Sequence, residues 1–142
     1  MNDKKPNIFT TESTEGTEQS KKDPITSLII GCAIEVHKTL GPGLLESTYQ
    51  QCLARELAIN NIPFLSEHPL PVIYKGVHLD CGYRIDLLVD NKVIIELKSV
   101  VEIKNIHKAQ LLTYMKLSNI KTGLLINFNV QILKNGITRL VL

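Results

Sequence analysis

The sequence lacks any long apolar run. No stretch approaches the roughly 20 consecutive apolar residues that a membrane-spanning helix requires, and the first 23 residues contain no apolar segment of the secretory-signal type. We therefore expect a cytoplasmic protein with no membrane partner. The chain has 142 residues, of which 44% are hydrophobic and 21% charged. That length and composition predict a single globular domain.

Several catalytic signatures are missing as well. The three cysteines, Cys32, Cys52 and Cys81, form no C-x-x-C pair, and the four histidines follow no H-E-x-x-H spacing. Neither a disulfide framework nor a zinc site is predicted. The chain also has no Gly-rich phosphate loop and no G-x-S-x-G turn. Residues 25–142 hold 12 Lys and Arg against 9 Asp and Glu, a balance of +3 that permits nucleic-acid binding without arguing for it.

The chain divides into a polar tail and one domain. Residues 1–23 are rich in Thr, Glu, Ser and Lys, and they hold too few apolar groups to offset the entropy cost of ordering, so we expect a disordered tail. Residues 24–142 then form the domain. Asp23 is the predicted N-cap of a first helix and Pro24 its first residue. The sequence "GPG" at 41–43 ends that helix, and a second helix extends to about residue 60.

The remainder reads mostly as strands. A period of two predicts strands in "FLSE", "PVIYK", "VHLD", "YRIDLLV" and "VIIELK", between residues 64 and 98. Asn105 is the predicted cap of a third helix over 106–118. Two or three strands follow, "GLLINF", "VQILK" and "TRLVL", with Asn135-Gly136 as a hairpin turn between the last two. Together these elements predict an α/β fold with a mixed central sheet flanked by helices.

Three charged residues interrupt the most apolar strands. Asp86, Glu96 and Lys98 lie within "RIDLLV" and "VIIELK", where such side chains are disfavoured. A three-residue loop, 90–92, would place Asp86 beside Glu96 and align one apolar face, formed by Ile85, Leu87, Val89, Val93, Ile95 and Leu97. A two-residue turn would put one strand's apolar row on the wrong face.

Two interpretations of this polar patch remain open. Two carboxylates about 4 Å apart repel each other by roughly 4 kcal/mol at an effective dielectric of about 20. A divalent cation such as Mg²⁺ or Mn²⁺ would offset that repulsion, and it prefers hard oxygen ligands of this kind. Alternatively, the patch is a solvated sheet face on which Lys98 forms an incidental ion pair with a carboxylate.

The spacing of Asp86, Glu96 and Lys98 resembles the D…(D/E)-x-K core of the PD-(D/E)XK nuclease superfamily, although no proline adjoins Asp86. "QLLTY", from Gln110 to Tyr114, resembles the Q-x-x-x-Y element of RecB-type nucleases. "GLLESTY", residues 43–49, resembles the G-x-x-E-x-x-Y signature of a family of small bacterial proteins in that superfamily. The resemblance covers roughly residues 25–142.

This resemblance implies a restriction-endonuclease-like αβββαβ core. It also implies a metal-dependent phosphodiesterase that acts on nucleic acid, with DNA favoured over RNA as the substrate. The implied metal ligands are Glu46, Asp86, Glu96 and the carbonyl of Leu97. Lys98 would orient water or stabilise charge, and Gln110 and Tyr114 would complete the catalytic group. The alternative is a catalytically inactive module of the same fold that binds nucleic acid or protein. The small basic excess keeps this alternative open.

Overall fold

The computed structural model describes residues 23–142. The predicted tail therefore lies outside the described residues, apart from Asp23. Asp23 contacts the folded domain, since its Oδ2 accepts a hydrogen bond from Thr26 Oγ1 at 2.6 Å and pairs with Arg139 Nη2 at 3.3 Å. Asp23 thus packs against the domain that is predicted to begin at Pro24.

Three α-helices lie close to their predicted positions: α1 (Pro24–Leu40), α2 (Glu46–Ile59) and α3 (Asn105–Ser118). Pro24 opens α1 as expected. At α3 the N-cap is Lys104 rather than Asn105, which is the first helical residue. The backbone N–H of Lys104 donates to His107 Nδ1 at 2.9 Å, so the histidine side chain satisfies the backbone at this helix start. Within residues 23–142, no helix is both long and apolar enough to cross a membrane.

The seven strands form two sheets. They are β1 (Phe64–Pro69), β2 (Val72–Tyr74), β3 (Val77–Leu79), β4 (Arg84–Val89), β5 (Val93–Lys98), β6 (Thr122–Asn127) and β7 (Ile137–Val141). The main sheet has the order β1-β4-β5-β6-β7, and β2 pairs only with β3. β5 and β6 are parallel, and the other pairs are antiparallel. A parallel pair requires a crossover, which α3 provides.

The main sheet has a hydrophobic core on each face. One core packs α1 and α2 against Leu87, Val89, Val93, Ile95 and Leu97, as the predicted apolar row requires. The other core packs α3 against Leu88, Ile94, Leu125 and, contrary to expectation, Ile85. The regular alternation of β4 is thus lost at Ile85, beyond the point where the ladder between β4 and β5 ends at Leu87 and Ile95.

The end of the chain corrects a prediction. "VQILK" is not a strand, and Asn135-Gly136 is not a hairpin turn, because Leu133–Gly136 form a 3₁₀-helix that leads directly into β7. Tertiary contacts account for this. A Cβ at Gly136 would lie 2.2 Å from the carbonyl oxygen of Asn127, so only glycine allows this backbone approach. Leu133 is meanwhile buried in the core beneath α1.

The fold class is confirmed. In chain order, α2, β1, β4, β5, α3 and β6 form an αβββαβ core within a five-stranded mixed sheet. The β2–β3 hairpin is an insertion between β1 and β4, while α1 and β7 are additions at the two ends. This arrangement places the start of β4 and the end of β5 beside the start of α2.

Candidate active site

The hairpin of β4 and β5 has the predicted three-residue loop. Val89 pairs with Val93, and the register continues through Leu88 with Ile94 and Leu87 with Ile95. Residues 90–92 therefore form the loop. Asp90 and Asn91 both have positive φ, at 52° and 53°, which these residue types tolerate better than most. Asp86 consequently faces Glu96 across the two strands.

Backbone pairing between β4 and β5 stops at these two acidic residues, and their side chains replace it. The N–H of Asp86 donates to Glu96 Oε2 at 3.0 Å, and the N–H of Leu97 donates to Asp86 Oδ2 at 2.9 Å. Each carboxylate thus satisfies a backbone donor on the opposite strand. Each uses one oxygen in this way, so the second oxygen of each group is left for another ligand.

Burial makes ionisation of these groups costly. Glu96 is only 6% exposed. Desolvation, together with repulsion from Asp86, raises the pKa of Glu96 to about 8. Desolvation also raises the pKa of Asp86, against the opposing effect of its hydrogen bond from Leu97. A positive charge brought to this patch would favour both ionised forms.

Lys98 is the cation whose charge acts on both Asp86 and Glu96. Its charge lowers the pKa of both Asp86 and Glu96, although less than burial raises them. Among residues 23–142, however, the Lys98 ammonium forms no ion pair within 4 Å. The interpretation of an incidental salt bridge therefore has no support in this geometry. The half-buried ammonium is held near the carboxylates without being bonded to them.

Glu46 approaches the site from the start of α2. Its charge acts on Asp86, and its Oε2 lies 3.4 Å from the backbone nitrogen of Ser99, just past the end of β5. The preceding loop is held in place by Tyr49, whose hydroxyl donates to Gly41 O at 2.5 Å and accepts from the N–H of Leu44 at 3.1 Å. Tyr49 is buried and stacks on Phe128, so its role here is packing and loop support.

Gln110 and Tyr114 border the site from α3. Gln110 Nε2 donates to the Tyr114 hydroxyl at 3.3 Å. Burial and then the charge of Glu96 raise the pKa of Tyr114, which places its hydroxyl within electrostatic reach of the carboxylate. The Tyr114 ring also meets the Tyr83 ring edge to face, with centroids 6.1 Å apart. The structure therefore brings the two predicted helical residues to the same patch.

Two further residues join the site that the sequence did not indicate. Glu67 on β1 lies between the pairs Ser66–Leu87 and His68–Ile85, which places it opposite Asp86. It has a φ of +52°, and its charge acts on both carboxylates. Gln50 Nε2 donates to Glu67 Oε2 at 2.7 Å and approaches the Asp86 carbonyl at 3.3 Å. No local pattern in the sequence marks Glu67, because its position depends on the register of β1 with β4.

Asn127 fixes the chain where β5 ends. It is 2% exposed, and its side chain accepts from the N–H of Val100 at 3.1 Å and donates to the Val100 carbonyl at 3.0 Å. The Lys98 carbonyl accepts from the N–H of Phe128 at 3.0 Å. These bonds hold the backbone on both sides of Ser99, and so they position Lys98 relative to the carboxylates.

The donor chemistry of this patch suits a hard divalent cation, since every candidate ligand is an oxygen. Its geometry is less complete. Across residues 23–142, no group of three or more His, Cys, Asp or Glu side chains is arranged to hold a metal ion. Asp86 and Glu96 are adjacent, whereas Glu46 and Glu67 influence them from the neighbouring elements. A cation would therefore bind first to Asp86 and Glu96.

Comparison with known proteins agrees with this architecture. A family model for the PD-(D/E)XK nuclease superfamily matches residues 23–140, which is nearly all of the part of the chain that the structure describes. Comparisons with curated proteins and with solved structures give no significant match. The matched region includes the carboxylate pair, the lysine and both helices that border them. The chain belongs to the PD-(D/E)XK nuclease superfamily.

Proposed function

We propose that the protein is a metal-dependent phosphodiesterase that cleaves DNA. The observation that carries this proposal is the pairing of Asp86 and Glu96 where the β4–β5 ladder ends, beside Lys98, which forms an ion pair with no other residue of 23–142. Membership of a nuclease superfamily supports the reaction class. The superfamily resemblance favours DNA over RNA as substrate.

Asp86 and Glu96 would hold Mg²⁺ or Mn²⁺, with Glu46 and the Leu97 carbonyl as further ligands. When bound, such a cation polarises a phosphate oxygen and lowers the pKa of bound water. Asp86 also fixes the backbone at Leu97 through its hydrogen bond to that N–H. This bond orients the adjacent carbonyl, and it links the position of β5 to the ligand carboxylate on β4.

Lys98 would act on the reacting atoms. Its ammonium donates hydrogen bonds and carries charge, so it can orient an attacking water or stabilise the negative charge that develops on the phosphate oxygens. Gln110 and Tyr114 would position the substrate phosphate or the hairpin, since they adjoin Glu96 from the other helix.

We further propose that the chain belongs to the G-x-x-E-x-x-Y group within the superfamily. The motif has a physical basis in this fold. Gly43 has a φ of +101°, which favours glycine. Glu46 lies beside the hairpin, and Tyr49 holds the loop between them through its hydroxyl. Gly43, Glu46 and Tyr49 therefore each contribute to placing a carboxylate at the site.

A second candidate is a catalytically inactive module that binds nucleic acid or protein. The observation in its favour is that, among the described residues, no three acidic or histidine side chains are arranged to hold a metal. The first proposal requires Glu46 or Glu67 to move toward the pair when a cation binds. The second requires no such movement and no metal affinity.

Calorimetry and nuclease assays separate the two candidates. We expect the wild-type protein to bind Mg²⁺ or Mn²⁺ and to cleave single- or double-stranded DNA, and we expect Asp86→Ala to lose both properties. Asp90→Asn is the matched control, because Asp90 lies four residues away in the loop of the same hairpin, pairs with Lys92, and has a positive φ that asparagine tolerates. Wild-type protein that neither binds a divalent cation nor cleaves DNA or RNA would exclude the enzyme and support the module.

A further inference from the structure

The β2–β3 hairpin extends from the main sheet as a separate arm, which we define as residues 72–83. Its two strands pair with each other and with no strand of the main sheet. Nearly every side chain of the arm is exposed. Its exposed large apolar and aromatic residues are unusually concentrated: Ile73, Tyr74, Val77, Leu79 and Tyr83. Such a concentration outside the core indicates a binding surface.

Two tyrosines mark the two ends of this arm. Tyr74 precedes the turn at its tip and is 60% exposed, and the Lys75 ammonium lies 5.4 Å from its ring centroid. Tyr83 is at the base and is 45% exposed. An exposed ring beside a cation is the combination that stacks bases and contacts phosphates in single-stranded nucleic-acid binding proteins.

The base of the arm is continuous with the active site. The Tyr83 ring packs against Tyr114, which contacts Gln110 and lies within electrostatic reach of Glu96. A strand that lies along the arm would therefore lead directly to the carboxylate pair.

Charge favours the same route. The carboxylates around the site repel a polyanion until a cation neutralises them. The arm and its next residue carry Lys75 and Arg84 against one acidic residue, Asp80, which lies 3.8 Å from Arg84. Nucleic acid could thus bind the arm without crossing an acidic surface.

We infer that the arm is the docking surface for a single-stranded segment of nucleic acid, whose bases stack on Tyr74 and Tyr83. This inference rests on the proposed function for its substrate class. A second copy of the chain fits the arm less well. The exposed apolar side chains of the arm offer a few hundred Å², whereas a stable interface needs about 800 Å² from each partner. β2 and β3 are also three residues long, which is short for edge-to-edge pairing.

The chain contains no tryptophan, so a single introduced indole reports local stacking. We would prepare Tyr74→Trp and Tyr83→Trp, with Val141→Trp as the control on the opposite edge strand, β7. Each would be titrated in EDTA with a single-stranded oligonucleotide of about 12 thymidines. We expect saturable quenching of both arm indoles and none of the control. Equal responses at all three positions, or no response, would overturn the inference.

Affinity measurements provide the second test. Tyr74→Ala should weaken oligonucleotide binding by about 5- to 160-fold, the range for loss of one base stack. Tyr83→Ala should do the same, and Tyr83→Phe should restore binding because the ring remains. Unchanged affinity in both alanine variants would refute stacking, as would sedimentation showing that the wild type dimerises and Tyr74→Ala does not.

These outcomes are separable from failure of the proposed function. Binding is measured without a divalent cation, so it does not depend on catalysis. Cleavage by the wild type with no arm quenching would reject the arm and retain the enzyme. Arm quenching with no cleavage under any metal condition would retain the arm and reject the enzyme.

Discussion

Asp86 and Glu96 each accept a hydrogen bond from the backbone of the opposite strand, at 2.9 and 3.0 Å. Side-chain oxygens thus occupy positions where a β-ladder would place carbonyl oxygens. These two hydrogen bonds hold the carboxylates side by side, with Glu96 buried and Asp86 partly buried. Their pKa values rise because the structure provides more desolvation than positive charge. A site of this kind favours a bound cation.

Lys98→Ala should abolish cleavage while divalent-metal binding stays intact or becomes tighter. In the proposed reaction the carboxylates would hold the cation, whereas the ammonium would act on water or on charge that develops in the transition state. Removing one well-placed electrostatic group costs about 100- to 1,000-fold in rate. Cleavage assays and calorimetry on the same preparations would measure both effects.

Lys92→Ala is the matched control, because Lys92 lies in the loop of the same hairpin and pairs with Asp90 at 3.5 Å. It should cleave at the wild-type rate. Glu96→Ala should lose metal binding and cleavage together. Equal cleavage by wild type and Lys98→Ala would exclude a catalytic role for this lysine.

Stability without metal should fall as the pH rises from about 5 to about 8. The pKa of Glu96 is about 8 in the folded protein and 4.5 for the free side chain. Between these values the folded state holds a proton that the unfolded state has released, so rising pH favours unfolding, by up to about 1.4 kcal/mol per pH unit. The raised pKa of Asp86 acts in the same direction.

Melting temperatures measured in EDTA across this range would test the effect. Glu96→Gln should flatten the profile, since glutamine does not titrate. Mg²⁺ should raise the melting temperature most at the upper end, where it stabilises the ionised pair. A wild-type profile that matches that of Glu96→Gln would show that Glu96 is ionised throughout.

Asn127→Leu should destabilise the fold by about 1–3 kcal/mol, because it removes the acceptor of the Val100 N–H and the shorter of the two side-chain bonds to the Val100 carbonyl in a part-buried position. Cleavage should fall as well, since these bonds fix the segment after Lys98. Urea unfolding gives the first effect and single-turnover rates the second. Asn129→Ala is the control, because it removes only the longer side-chain bond to the same carbonyl, 3.3 Å, and keeps the Asn129 backbone N–H that donates to Asn127 Oδ1. Equal losses in both variants would contradict this role of Asn127.

Deleting residues 2–22 should leave the melting temperature almost unchanged, since this segment has few apolar groups to bury. Adding Asp23→Ala to that deletion should cost about 1–3 kcal/mol. The Arg139 guanidinium is largely buried and would lose its carboxylate partner. Thermal denaturation of the two truncated variants isolates the contribution of Asp23. A large loss from the deletion alone would mean that the tail belongs to the fold.

The sequence by itself determined the features that depend on neighbouring residues. Helical spacing and the Asp23-Pro24 start located α1. The alternation of apolar residues required a loop with an odd number of residues, 90–92. A loop of that length places Asp86 beside Glu96. Glu96 and Lys98 are two residues apart on β5, so the strand period of two places them on the same face. These predictions succeeded because periodicity and turn chemistry act within a few residues.

Only the tertiary structure decided what depends on distant segments. The register of β1 with β4 placed Glu67 opposite Asp86, and no local pattern encodes that pairing. The approach of Gly136 to the Asn127 carbonyl favoured a 3₁₀-helix where strand propensity and an Asn-Gly turn predicted a hairpin. The raised pKa of Glu96 likewise required the packing of both sheet faces, because desolvation is a property of everything that surrounds a group rather than of its own sequence.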